Sequence, residues 1–260
     1  MHATRWVLIA ALAGSTSCGH STASRPAPAA AAPQPQPTPA RAPLPLPKPE
    51  VPPSIALGDV MADHFLITSW ARDAVIAGSL DALREPLTAL ADYRYEGLHP
   101  GGWLPWLAQL QAAARLTSDA ATLDSAAVGV ATMARVCGEC HVANHGGPSV
   151  PEPAPEPEEQ FAADTVPERM GRHMWAAEML WEGLTAPSDV SWKAGVEALA
   201  HAPAQLDAEL PASFDEQLNE VKAIGRDAGE ATSLAQRADV YGLLIATCAD
   251  CHSRWLDHGP

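Results

Sequence analysis

The chain reads as an all-α protein, two tandem four-helix bundles that follow a disordered Pro-rich tether. Three observations predict this. Apolar residues recur at helical spacing across residues 54–145 and 165–260, and almost no run alternates as a strand would. Landmarks in the first of these stretches return in the second at offsets of 108 to 111 residues. Two Pro-rich segments, 18–53 and 146–164, bound the helical stretches and carry too little apolar surface to bury a core.

Residues 1–17 predict an export signal. Arg5 supplies a positive start, Trp6 to Ala13 form a short apolar run, and Gly14-Ser15-Thr16-Ser17 lead with small residues to Cys18. The apolar run is too short for a spanning helix. A Cys after such a run resembles the lipobox of bacterial lipoproteins, which implies lipidation at Cys18. Ser15 departs from the Leu usual at that place. Gly19 is not the Asp that retains many lipoproteins at an inner membrane, which favours an outer membrane. Residues 18–53 then form the Pro/Ala-rich linker. Twelve of the 25 Pro fall between Pro26 and Pro53, so the segment should sample polyproline II and reach on the order of 100 Å.

Four helices are expected in residues 54–145: Met61 to Ala77, Asp81 to Tyr95, Trp103 to Leu116 and Ala120 to His141. Gly97 to Gly102 form a loop between the second and third. Gly146-Gly147-Pro148 open an acidic linker that runs on through Pro151 to Glu159. Residues 165–260 repeat the pattern: Pro167 to Leu184, a break at Pro187 and Ser188, Val190 to Ala200, Phe214 to Arg226 and Glu230 to Trp255.

The register ties the halves together. Met61-Ala62-Asp63-His64 aligns with Met170-Gly171-Arg172-His173 at an offset of 109. Trp106, Leu110, Ala113 and Leu116 align with Phe214, Leu218, Val221 and Ile224 at 108, each set spaced as the inward stripe of a bundle helix.

The third landmark, offset by 111, carries the chemistry. Cys137-Gly138-Glu139-Cys140-His141 and Cys248-Ala249-Asp250-Cys251-His252 are both C-x-x-C-H, the attachment signature of a c-type haem. On a helix the thiols at i and i+3 project from one face and reach the two vinyl groups of one porphyrin. The His one turn beyond the first Cys reaches the iron. A thiol–disulfide pair is expected in an α/β setting, which this chain lacks. A zinc site needs further ligands, and Cys18 is the only other Cys. Two copies predict two c-type haems, bonded through Cys137, Cys140, Cys248 and Cys251, with His141 and His252 as proximal ligands.

Both motifs close their helical units. A helical unit ending in C-x-x-C-H resembles class II cytochrome c, the cytochrome c-prime family. Met61-Ala62-Asp63-His64-Phe65 and Met170-Gly171-Arg172-His173-Met174 resemble a stretch often found in that family's first helix. The resemblance covers roughly residues 55–142 and 165–256; duplication and the tether depart from it. It implies a haem-binding four-helix bundle, in a family that often leaves one iron face open. For the distal face here, His64 and His173 are the first choice because they recur in register. Met61 and Met170 recur equally, one turn away, and an open face is the third option. Two imidazoles give a lower potential than His/Met, because a thioether favours Fe(II).

The formal charge of −15 argues against nucleic acid and suits transient docking to redox proteins with basic surfaces. The expectation is an electron carrier on the periplasmic side of a bacterial membrane, held there by its lipid anchor, with no small-molecule substrate. Two alternatives stand beside it. One is a gas-binding or sensing protein with five-coordinate haem. The other is a dihaem peroxidase, although proteins of that type resemble paired class I domains, whose motifs come early.

Overall fold

A computed structural model describes residues 57–95, 101–151, 153, 165–200 and 212–255. The expected export signal, the tether with Cys18, most of the acidic linker, the loops holding His99 and His201, and His258 lie outside the described residues. All the described elements are helical: α1 (Leu57–Ile76), α2 (Asp81–Ala91), α3 (Leu104–Ser118), α4 (Leu123–Ala143), α5 (Val166–Thr185), α6 (Asp189–Ala200), α7 (Ala212–Glu230) and α8 (Leu234–Trp255). A short 3-10 turn, Gly101–Trp103, leads into α3. Among the described residues there is no strand, and no helix is long and apolar enough to cross a membrane.

Local chemistry sets several helix ends. At the start of α4, Thr122 Oγ1 accepts from the Ser125 N–H and Ser125 Oγ accepts from the Thr122 N–H, a reciprocal capping box. Glu168 plays the same part before α5, accepting from the N–H and hydroxyl of Thr165, with Pro167 in the first turn. Helix α1 stops at Gly78, whose φ of +74° only glycine adopts without strain. There the Gly78 N–H bonds Val75 O and the Ser79 N–H bonds Ala74 O, a Schellman motif. That motif leaves the carbonyl of Ile76, the last residue of α1, without an intrahelical donor.

The apolar stripe of α7 packs as its spacing predicts: Phe214, Leu218, Val221 and Ile224 are all buried. The stripe of α3 differs at one end. Leu116 is 75% exposed, and Thr117 beside it is buried. Thr117 satisfies its hydroxyl on Ala113 O and fills the space left by Gly129 of α4, where a Cβ would come within 2.1 Å of Thr117 Oγ1.

The two sequence repeats share one contiguous core. Helices α4 and α8 pack antiparallel: Gly242 lies against Ala131 and Ala127, and Gly138 lies near Leu234. Ala131 and Gly242 are themselves 111 apart, so the crossing joins equivalent positions. Contacts between α1 and α5 are reciprocal too. Arg72 of α1 makes a bidentate pair with Glu178 of α5, while Trp181 of α5 donates to Ser69 of α1. Positions 69 and 72 correspond to 178 and 181 at the offset of 109. Residue i meeting j while j meets i is the signature of an isologous interface, here built within one chain. The Arg72 guanidinium also stacks over the Trp181 ring, 5.3 Å from its centroid.

Candidate functional site

Both C-x-x-C-H motifs lie in the last turns of their helices, at the closing ends of α4 and α8. Each motif His lies ten residues beyond the α4–α8 crossing. Because the helices run antiparallel, the two His lie at opposite ends of the pair, about 30 Å apart along it at 1.5 Å per residue.

At the first end, a cavity of about 660 Å³ is lined by Met61, His64, Cys137, Cys140 and His141 together with apolar side chains of α1, α3 and α4. Trp103, Trp106, Leu107 and Leu110 supply much of its wall. At the second end, Met170, His173, Cys248, Cys251 and His252 line a smaller cavity of about 100 Å³, with Leu218 on its wall. These are the same positions in the repeat register. The structure thus brings together each sequence-predicted set, including His64 and His173 and the alternatives Met61 and Met170.

The first cavity suits a bound porphyrin on two counts. Its volume lies in the range of small-molecule pockets, roughly 300–1,000 Å³. Two thiols and an imidazole share its apolar wall. The second has the same donors, but its volume holds only a few waters at ~30 Å³ each. Met170 and Met174 line it, and their unbranched side chains would have to swing aside for a larger group. Among the described residues, no cluster of three or more His, Cys, Asp or Glu could hold a bare metal ion. A porphyrin iron needs at most two axial side chains, so the two requirements differ.

No disulfide joins the four motif cysteines. Burial pushes Cys137 and Cys248 up to about 12, helped by the neighbouring Cys140 and Cys251. Burial also raises Cys140 and Cys251. At all four positions burial disfavours the thiolate, whereas a redox-active C-x-x-C helix start lowers the pKa of its first Cys.

The motif imidazoles are anchored through Nδ1. His141 Nδ1 bonds Thr185 O at 2.8 Å, and His252 Nδ1 bonds Ile76 O at 2.7 Å. A carbonyl accepts only, so Nδ1 carries the proton and Nε2 keeps its lone pair for a metal. Burial lowers His141, which favours that neutral form. The turn after α4 closes over the same ring. Gly147 has φ +107°, and a Cβ there would come within 2.7 Å of His141 Cγ. Asn144 Nδ2 donates to Cys140 O, with Cys140 Sγ 3.5 Å away.

The distal candidates differ between the repeats. His173 is buried, and burial together with Arg169, Arg172, His252 and Lys222 lowers it to about 4, so it is a neutral imidazole near pH 7. His64 is buried as well, but Tyr93 and Tyr95 meet its ring edge-on, both with centroids 5.5 Å away. Tyr95 Oη lies 3.0 Å from His64 Nε2, the nitrogen an iron would take. The spacing argument missed this tyrosine pair, because nothing repeats it: the only other Tyr in the chain is Tyr241.

Other charged and aromatic side chains have their own partners or places. Arg135 pairs with Glu139, and Arg254 with Asp250, each with the acid inside its own motif. His145 is exposed in the turn after α4. Trp181 and Trp192 are core residues. No protein-family model matches the chain, and neither does any curated protein or solved structure.

Proposed function

We propose that the chain is an exported dihaem cytochrome c of the class II type, carrying electrons by outer-sphere transfer on the periplasmic side of a membrane, to which Cys18 anchors it. One observation carries this reading: register-equivalent residues of both repeats, two thiols and two imidazoles each, converge on a cavity. The thiols of Cys137 and Cys140, and of Cys248 and Cys251, would fix each haem, and His141 and His252 would hold the iron from one side. When bound, the haems supply the one-electron Fe(III)/Fe(II) couple. The apolar walls would exclude water, and the imidazoles of His141 and His252 would hold the iron in place, which would lower the reorganisation that accompanies each transfer. At about 30 Å apart, the two sites would each exchange electrons at their own end of the molecule. The acidic surface would recruit basic redox partners to either end.

The test is chemical. Protein made in a host competent in cytochrome maturation should keep two haems per chain after denaturation and acid–acetone extraction. Loss of all pigment rejects the reading. His173→Ala should convert the second haem from low to high spin, and an unchanged spectrum rejects His173 as a ligand.

A second reading is favoured at the first site alone. The contact between Tyr95 Oη and His64 Nε2 ties up the distal nitrogen beside a roomy cavity. In this reading the first haem is five-coordinate and takes a small gas. Carbon monoxide binding to one haem in two of the reduced protein supports it, and no binding supports bis-imidazole ligation at both.

A further inference from the structure

The two proximal hydrogen bonds cross between the repeats. His141 belongs to the first repeat, but its acceptor, Thr185, ends α5 of the second. His252 belongs to the second repeat, but its acceptor, Ile76, ends α1 of the first. Thr185 and Ile76 are equivalent at the offset of 109. Each carbonyl is the last of its helix, so it has no intrahelical donor and lies at the negative end of the helix dipole.

We propose that each haem site is completed by the opposite repeat: the terminal carbonyl of one repeat's first helix orients and polarises the proximal imidazole of the other. This rests on the cytochrome reading and adds a division of labour to it. Thr185 and Ile76 are positioning residues that act through the imidazole. Donation from Nδ1–H to an oxygen at a helix C-terminus makes the imidazole a stronger electron donor, which favours Fe(III) and lowers the potential.

Two glycines set the approach. Gly138, inside the first motif, lies so close to α5 that a Cβ would come within 2.2 Å of Leu184 O, the carbonyl next to the acceptor. Gly78, with φ +74°, closes the Schellman motif that leaves Ile76 O unclaimed, and its surroundings leave room for a methyl group. An alanine at 78 therefore strains the turn without a clash and disturbs Ile76 O.

The experiment uses the full-length protein with both haems attached. Their potentials are resolved by redox titration and assigned by NMR of the reduced form. Gly78→Ala lies in the first repeat, and the proposal requires it to raise the potential of the second haem while leaving the first unchanged. Gly138→Ala should raise the potential of the first haem alone. A merely local role gives the reverse pattern for Gly78→Ala, and unmoved potentials in both variants overturn the proposal. Should either variant fail to fold, the wild type decides. The Nδ1 protons of His141 and His252 should exchange slowly and show Overhauser contacts to residues 184–186 and 75–77 respectively. Fast exchange, or absence of these cross-repeat contacts, overturns the proposal. Absence of covalent haem in the wild type would remove the cytochrome reading instead, and that result is distinct from either of these.

Discussion

Gly147 and His173 show how single residues tune these sites. Gly147 holds φ +107° with its Cα against the ring of His141. Alanine there meets both an unfavourable backbone region and the imidazole itself. Gly147→Ala should lower stability by roughly 1–3 kcal/mol and, on the proposed cytochrome reading, alter the EPR spectrum of the first haem while leaving the second unchanged. Thermal melts and EPR of the oxidised protein check both parts. His173 gives a pH prediction with a definite sign. Its ordinary value is 6.5, and in the folded chain it falls to about 4. Between those values the unfolded chain binds more protons than the folded one, so stability falls as pH drops through about 6.5 to 4 and levels off below. The loss is on the order of 3 kcal/mol, at about 1.4 kcal/mol per unit. Urea denaturation of the haem-free chain at about pH 7 and about pH 4.5, beside His173→Asn, isolates it from the carboxylates. Equal slopes in the two proteins would refute it.

At the scale of the helix, much was legible in the sequence, and what was hidden has identifiable causes. All eight helices show in the spacing of apolar residues, because a helix that buries one face must repeat every three to four positions. The pairing of Met61 with Met170 and of His64 with His173 follows from the repeat, and the cavities gather those residues. Leu116 was misread as an inward residue because its apolarity matches Ile224. The side chain that packs there is Thr117, and only its fit against Gly129 reveals it. The acceptors of the motif imidazoles were invisible for a different reason: a main-chain carbonyl leaves no mark on residue identity, and 44 and 176 residues separate the partners. Helix ends are easier to read, and they give a prediction. Thr122→Ala removes the reciprocal cap of α4, the helix that carries the first motif, and should cost about 1 kcal/mol. Leu116→Gln, at an exposed site, should stay within ~0.5 kcal/mol of wild type. Denaturant midpoints at constant m-value compare the two, and a larger loss for Leu116→Gln would restore the stripe read from the spacing.

Across the whole molecule, the contacts between α1 and α5 and between α4 and α8 make each repeat part of the other's interior. A duplicated chain could instead carry two bundles on a string, each melting alone. The difference lies in what Arg72 touches. Its side chain is only 5% exposed, pairs with Glu178 at the bidentate contact and stacks on Trp181, which is itself buried. Both of these belong to the other repeat, and a third partner, Asp73, is its neighbour in α1. Arg72→Ala would leave a void beside Trp181 and strip a charged partner from Glu178, which is 49% exposed and can turn to water. The lost packing dominates, so the expected loss is about 2–3 kcal/mol, in the range of large-to-small changes at buried positions. If the core is one cooperative unit, calorimetry should show a single transition in wild type, with van't Hoff and calorimetric enthalpies equal. Arg72→Ala should move that transition as a whole and, if the proposed haems are present, absorbance at both should change together. Were the repeats independent, the substitution would split the trace into two transitions. A split would also break the logic of the crossed hydrogen bonds, because His252 depends on Ile76 keeping its place at the end of the very helix that Arg72 anchors.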